Sequence, residues 1–158
     1  MGSHEGGDPA GCHHLSVFID TAIIMYAGGR QQALRKPSVE ILRRVRDGSL
    51  EGLISTEVIQ EIFHRFGAIG APGTGISMAR DAIDLFSPLL AITDEVVRRM
   101  PHLVEKYQGL SARDLLHVAT CAEHGIGAII STDVGFDQVR GLERIQPGDE
   151  KVLSRYQI

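Results

Sequence analysis

Apolar and polar residues alternate along this chain between short apolar runs and longer segments with a helical period. The apolar runs at 15–20, 53–55, 89–92, 128–132 and 142–145 predict strands. The segments 38–47, 56–66, 76–86, 94–107 and 111–124 have apolar residues every three or four positions and predict helices. Because strands separated by helices are typical of βαβ units, we expect an α/β fold: a three-layer α/β/α sandwich with a central parallel sheet of about five strands.

Prolines and glycines refine this prediction. Pro101 removes a backbone hydrogen bond inside the segment 94–107, which predicts a kink or two short helices. The glycines of 67–75 (GAIGAPGTG) predict a loop. The stretch from Gly70 to Ser77 matches a phosphate-binding P-loop except that Ile76 replaces the lysine, and it follows a helix, so we predict no nucleotide site there. Residues 1–14 are predicted to be a flexible tail, native or left from cloning, and 15–158 a single domain.

Composition excludes several classes of protein. The chain has 158 residues, of which 43% are hydrophobic and 23% charged, as in globular proteins. The apolar runs are far shorter than the ~20 residues of a membrane span, and the first residues lack the apolar core of a secretory signal, so we expect a cytoplasmic protein. The two cysteines lack metal-binding spacing, which agrees with a reduced compartment. A net charge of −4 and 5% aromatic residues argue against a nucleic-acid binder of the basic or stacking kind.

Acidic residues stand where the predicted strands end. Asp20 ends the first strand and Asp133 follows the fourth, while Glu61 lies on the helix after the second and Asp114 in the first turn of the helix before the fourth. The carboxyl ends of parallel strands share one edge of the sheet, so the first three should meet there, with Asp114 if its helix starts nearby. Two bare carboxylates ~5 Å apart repel by about 3 kcal/mol at an effective dielectric of 20. An all-oxygen cluster of this kind suits the hard ions Mg²⁺ or Mn²⁺.

Each of these acids also has an explanation that needs no chemistry. Asp114 fits a helix-capping motif with Ser111, and Asp20 suits the end of a strand or a helix cap. Glu61, placed between Glu57 and Arg65 at helical spacing, suits the solvated face of its helix opposite the apolar stripe, and Asp133 suits an Asx turn. Their joint placement is what favours a metal site.

Four motifs in order resemble the PIN-domain nucleases, and within them the toxins of bacterial VapBC toxin–antitoxin pairs. Phe18-Ile19-Asp20-Thr21-Ala22 resembles the family's strand followed by Asp-Thr-Asn, and residues 55–63 (STEVIQEIF) resemble its second strand and acidic helix. Residues 111–120 (SARDLLHVAT) and 131–137 (STDVGFD) resemble its Asp-x-x-His/Ala helix and its Thr/Ser-x-Asp-x-x-Phe turn. The resemblance runs from about Val17 to Pro147 and departs from the family at Ala22, where an Asn is usual.

The resemblance implies a Mg²⁺- or Mn²⁺-dependent ribonuclease in which Asp20, Glu61, Asp114 and Asp133 hold metal and support catalysis. It also implies Asp137 as a variable fifth ligand and leaves Glu57 as a competitor to Glu61. The alternatives are a non-catalytic PIN-fold protein that binds nucleic acid or a partner, which Ala22 favours, and a housekeeping RNA-processing nuclease.

The same resemblance implies partners. A toxin of this kind would cleave RNA, form homodimers and be blocked by a small antitoxin that lays a helical segment in an apolar groove, for which the residues from Phe66 to Phe86 are the candidate. Basic residues after the first strand are candidates for phosphate contacts, although Arg43, Arg44 and Arg46 also suit a solvated helix face. His117 lies one turn after Asp114 and is either a packed histidine or a substrate contact. The predicted substrate-binding residues are Arg30, Arg35, Lys36 and His117.

Overall fold

The structure, a computed structural model, describes residues 15–30 and 32–158, so the tail predicted at 1–14 lies outside the described residues. Its strands are β1 (Val17–Ile19), β2 (Gly52–Leu53), β3 (Ala128–Ile130) and β4 (Glu143–Ile145), with short 3-10 helices at Val134–Gln138 and Ser154–Tyr156. The α-helices are α1 (Thr21–Gly28), α2 (Arg35–Asp47), α3 (Thr56–Ala68), α4 (Pro72–Phe86), α5 (Asp94–Arg98), α6 (Met100–Lys106), α7 (Ala112–His124) and α8 (Glu150–Leu153).

The four strands form one parallel sheet in the order β2-β1-β3-β4. The central strands β1 and β3 are completely buried, as expected of strands covered on both faces. The strand predicted at 89–92 is reduced to a single parallel bridge between Ser55 and Leu90, which extends the sheet beyond β2. The prediction of a central parallel sheet is therefore confirmed, with four strands and one bridge in place of about five strands.

The helices pack in two groups that sandwich the sheet. Helices α1 to α4 contact one another, and α5, α6 and α7 form the second group, which confirms the predicted α/β/α architecture. The helix predicted over 94–107 is broken at Arg99, just before Pro101, into the two short helices α5 and α6. The core is built largely from the aliphatic residues of β1 and β3 and the inner faces of α3 and α7.

Two helical segments differ from the predictions. Helix α1 has no periodic signal because its apolar residues, Ala22 to Ala27, are continuous. Helix α4 begins at Pro72, inside the segment predicted as a loop, because proline suits the first helical position and the helix continues through the glycines. Gly75 has a packing role there, since a Cβ atom at this position would lie 2.8 Å from Cβ of Phe66 on α3. This glycine lets α3 and α4 approach closely.

No helix in the described part of the chain is long and apolar enough to cross a membrane. The one cysteine in that part, Cys121, is buried without a disulfide partner, and burial raises the pKa of its thiol.

Two neighbouring glycines of α4 test the packing of this helix. We expect Gly75→Ala to lower the free energy of unfolding by about 1–2 kcal/mol, because the new methyl group overlaps Phe66. Gly73→Ala is the matched control, since a Cβ there meets no atom within 4 Å, and it should be neutral or stabilising by up to about 1 kcal/mol. Urea unfolding of both variants measures the difference, and equal stabilities would contradict the assigned contact.

Candidate active site

A polar cleft of about 260 Å³ opens at the carboxyl edge of the sheet. Four carboxylates from four separate segments of the chain line this acid cleft: Asp20, Glu61, Asp114 and Asp133. One acidic residue from each of the four sequence motifs therefore lies in this one site. The remaining lining residues are Ala22, Met25, Tyr26, Arg65 and Thr132.

Asp20 is held in place by Ser131 at the end of the neighbouring strand. Asp20 is the N-cap residue of α1, yet its carboxylate makes no capping hydrogen bond and instead accepts one of 2.6 Å from the Ser131 hydroxyl. The hydroxyl oxygen of Ser131 in turn accepts a 3.0 Å hydrogen bond from the backbone N–H of Asp133. Ser131 is fully buried and thus joins the ends of β1 and β3. Ser131 is part of the motif at 131–137, but nothing in the sequence predicts that its hydroxyl contacts the carboxylate of Asp20.

Glu61 and His117 form a buried pair behind the acid cleft. His117 Nε2 lies 2.9 Å from Glu61 Oε1 and 3.8 Å from Asp20 Oδ1, and the side chains of His117 and Glu61 are 1% and 7% exposed. The contact to Glu61 falls short of an aligned hydrogen bond, so the attraction between the two groups is chiefly electrostatic. The alternative explanation, that Glu61 belongs to a solvated face of α3, is wrong, because the buried face of the helix carries Glu61 beside Val58 and Ile62 while Phe63 is 48% exposed.

The three buried groups shift one another's protonation. Burial raises the pKa of Asp20, and the negative charges of Asp114 and Glu61 add to this against the opposing effect of His117 and Ser131. Burial alone would raise the pKa of Glu61, but His117 more than offsets it and the pKa is lowered. Burial alone would lower the pKa of His117, but Glu61, Asp20 and Asp114 outweigh it and the pKa is raised. The histidine therefore protonates more readily than usual and offsets part of the negative charge.

Asp114 and Asp133 form the outer part of the acid cleft. The backbone N–H of Asp114 donates to Ser111 Oγ at 3.1 Å, and that hydroxyl donates to the Asp114 carboxylate at 2.9 Å. Asp133 Oδ1 accepts a 2.8 Å hydrogen bond from the backbone N–H of Gly135 at the start of a 3-10 helix. Both structural explanations, the cap and the Asx turn, are thus realised. They do not compete with a place in the cleft, because both carboxylates also line it.

Other predicted site residues lie elsewhere. Glu57 is one turn from Glu61 but does not line the cleft, and burial followed by the charge of Glu61 raises its pKa. Asp137, the predicted fifth ligand, is outside the cleft and is bound by Arg144 through contacts of 2.8 and 3.3 Å. The side chain of His117 is too buried to meet substrate directly. The three basic residues predicted to bind substrate do not line the cleft either: Arg30, Arg35 and Lys36.

The donor set fits a hydrated hard cation. In the described part of the chain, no three acidic, histidine or cysteine side chains converge closely enough to form a ready-made metal cage. Mg²⁺ usually keeps several waters and takes only one or two carboxylates directly, so a cleft with spaced carboxylates suits it better than a closed cage would. The lining side chains supply oxygen ligands and no thiolate, which also suits Mn²⁺.

The fold and the site together define a parallel α/β protein with an acid cleft at the carboxyl edge of its sheet. The PIN domain family matches residues 17–142, and this chain belongs to that family. It is similar to Ribonuclease VapC13 of Mycobacterium tuberculosis, with 32% identity over 82% of this chain and 98% of that protein. Ribonuclease VapC23 of the same species is 31% identical over 74% of this chain and 92% of its own length.

A solved structure shares the fold. A toxin–antitoxin complex from Klebsiella pneumoniae contains a chain that superposes with a TM-score of 0.61 at 19% identity, covering 84% of this chain and 98% of that one. At this identity the likeness supports the fold alone.

The buried pair makes a prediction about stability. We expect His117→Leu to lower the free energy of unfolding by about 3–5 kcal/mol at a pH where the imidazole is protonated, because it leaves two buried carboxyl groups without their polar partner. Adding Glu61→Gln removes one of those carboxyl groups, so the double variant should lose less than the sum of the two single variants. Urea unfolding in EDTA measures all three. Strictly additive losses would show that the histidine serves only as packing against Phe18.

Proposed function

We propose that this chain is a Mg²⁺- or Mn²⁺-dependent ribonuclease that hydrolyses RNA phosphodiester bonds as the toxin of a type II toxin–antitoxin pair. The observation that carries the proposal is the convergence of four carboxylates, from four segments of the chain, on one open cleft. Relatives that carry the name ribonuclease over nearly their whole length support the same activity. We further propose that it acts in the cytoplasm and forms homodimers.

The four carboxylates of the acid cleft lie at two depths, at its base and at its rim. Asp20 and Glu61 would hold metal at the base of the cleft, where Ser131 and His117 fix their carboxylates, and Asp114 and Asp133 would hold it at the rim. A bound divalent ion lowers the pKa of water and stabilises developing charge on phosphate oxygens. Water made acidic by the metal is the proposed nucleophile, so no covalent intermediate would form on the protein.

Ala22 favours the second candidate function, a PIN-fold protein that binds RNA or a partner without cleaving. Ala22 lines the acid cleft, so the hydrogen-bonding side chain that is usual at this position is absent from the site itself. All four carboxylates and their supporting hydrogen bonds are nevertheless present, which favours catalysis. Cleavage of total bacterial RNA by the purified chain with Mg²⁺ or Mn²⁺, abolished by excess EDTA, distinguishes the two candidates.

Asp114→Asn separates a metal-binding role from a purely structural one. Asn keeps the shape and an acceptor oxygen, and the cap survives because Ser111 bonds the backbone N–H of residue 114. Removing one repelling carboxylate should raise the melting temperature in EDTA by about 2–4 °C, equivalent to roughly 1 kcal/mol. The variant should also lose the Mg²⁺-induced rise in melting temperature and cleave no RNA.

Asp137→Asn is the matched control for this variant. Its carboxylate is exposed and bound to Arg144 outside the cleft, so the variant should stay within about 0.5 kcal/mol of wild type. It should also keep both the Mg²⁺ response and RNA cleavage. An Asp114→Asn protein that melts lower in EDTA and still cleaves would reduce Asp114 to a helix cap and remove it from the site.

An apolar groove of about 510 Å³ between α1, α2 and α4 is the proposed antitoxin site. It lies within the predicted region at α4 but also uses α1 and α2, and residues 67–71 do not line it. The side chain of Val39 on α2 is exposed there, and Arg46 on the same helix lines the groove without an ion pair to any described residue. An amphipathic helix with an acidic residue near Arg46 would therefore suit this apolar groove.

Val39→Asp tests this site without touching the acid cleft. Val39 is 45% exposed, so the charge should be tolerated by the fold while weakening binding of the antitoxin encoded beside this chain by at least about tenfold. Val104→Asp is the control, because Val104 is 51% exposed on α6 and lies outside the groove. Isothermal titration calorimetry measures affinity, and RNA cleavage should be unchanged in both variants. Full inhibition of Val39→Asp by the antitoxin would exclude the groove, and no adjacent inhibitor at all would favour a housekeeping nuclease.

A further inference from the structure

Arg65 occupies an unusual position in the acid cleft. It lies on α3 one turn after Glu61 and is exposed, and among the described residues that line the cleft it is the only one with a permanent positive charge. The basic residues expected to contact phosphate from the sequence do not line the cleft. Arg65 is thus the described guanidinium that lines the cleft into which a substrate phosphate would enter, whereas Arg113, which acts electrostatically on Glu61, does not line it.

Arg65 is also unpaired, although four carboxylates line the same cleft. Within residues 15–30 and 32–158, Arg65 makes no ion pair, and it is absent from the main causes of the pKa shifts of Asp20 and Glu61. Six other arginines in the same range are neutralised by neighbouring acids, whereas Arg46 and Arg80, like Arg65, make no ion pair with a described residue but do not line the acid cleft. Those with ion pairs are Arg43, Arg44, Arg98, Arg99, Arg144 and Arg155.

The chemistry of the substrate explains why such an arginine would be useful. RNA is a polyanion and the acid cleft is negative, so metal ions at the carboxylates leave the flanking phosphates without a positive partner. A guanidinium offers a planar pair of donors that matches a phosphate oxygen pair, which an ammonium cannot do. A guanidinium already engaged by a carboxylate would have to exchange that partner for the phosphate.

We propose that Arg65 binds an RNA backbone phosphate next to the scissile bond and holds the strand across the carboxylates. This inference rests on the proposed function, since it assumes that RNA enters the acid cleft. Arg65 acts on the substrate and not on the metal ligands, so its loss should weaken RNA binding and leave metal binding intact.

Binding is measured with all four carboxylates intact, in Ca²⁺, another hard cation that takes carboxylate oxygens, in place of Mg²⁺. The probe is a fluorescent single-stranded RNA oligonucleotide of mixed sequence, titrated at several salt concentrations, and a gel after each titration checks that the probe is still full length. Arg65→Gln should raise Kd about tenfold and reduce the salt slope by about 0.7, the value for one lost contact to a single strand. Arg65→Lys should keep the salt slope but recover only part of the affinity, because it restores the charge without the paired donors.

Arg80→Gln is the matched control. Arg80 is an exposed arginine on α4 that makes no ion pair with a described residue and does not line the acid cleft. This substitution should leave Kd and the salt slope unchanged. Equal effects of the Arg65 and Arg80 substitutions would overturn the proposal by showing a general charge effect.

Two further measurements separate the proposal from the activity on which it rests. The Mg²⁺-induced rise in melting temperature should be the same for the single variant Arg65→Gln and wild type, and its loss would overturn the proposal by giving Arg65 a role in organising the carboxylates. Cleavage by wild type tests the ribonuclease independently. Arg65-dependent binding without cleavage by wild type would support the phosphate contact and refute catalysis, whereas cleavage with Arg65-independent binding would do the reverse.

Discussion

The attraction of His117 for two buried carboxylates is the interaction on which the acid cleft depends. Asp20 follows the end of β1 and Glu61 lies on α3, and both are nearly inaccessible to water, so their mutual repulsion is poorly screened. The two carboxylates raise the pKa of His117, and its imidazole, when protonated, supplies the opposite charge within the protein itself. The estimate of the repulsion from the sequence considered bare carboxylates only, and it did not include this histidine.

The parallel sheet explains why these groups meet at all. Because β1 and β3 are adjacent and parallel, their carboxyl ends place Asp20 next to Ser131, and the chain that leaves β3 brings Asp133 to the same edge. Helix α7 then supplies two groups one turn apart, Asp114 at the rim and His117 at depth. The same helix thus supplies the carboxylate of Asp114, which adds to the repulsion, and the imidazole of His117, which reduces it.

The parts of this arrangement that sequence predicts are those fixed by local periodicity. Strand ends locate Asp20 and Asp133 at one edge, since the strand pattern depends on neighbouring residues, and Asp114 is expected there only if its helix starts nearby. The orientation of α3 is different, because its buried face is selected by packing against the sheet and by His117, which is 56 positions away from Glu61 along the chain. Asp137 shows the same limit: only the fold reveals that Arg144 on β4 binds it. Gly75 is a third case. The sequence does not distinguish a glycine that permits a close helix contact from one that forms a loop, and only the position of Phe66 shows that Gly75 is the former.

Helix α1 connects the two surfaces to which we assign function. Ala22, Met25 and Tyr26 face the acid cleft, whereas Ile24, Ala27 and Gly28 line the apolar groove. With an α-helix about 10 Å across including side chains, a segment bound in the groove lies within a few residues' reach of the carboxylates. The apolar groove could therefore supply most of the affinity of an inhibitor while only a short extension crosses α1 to obstruct the acid cleft. The affinity for an inhibitor would then depend on residues of the apolar groove, and inhibition on residues of the acid cleft. Substitutions in the groove could therefore change which inhibitor binds without changing the carboxylates.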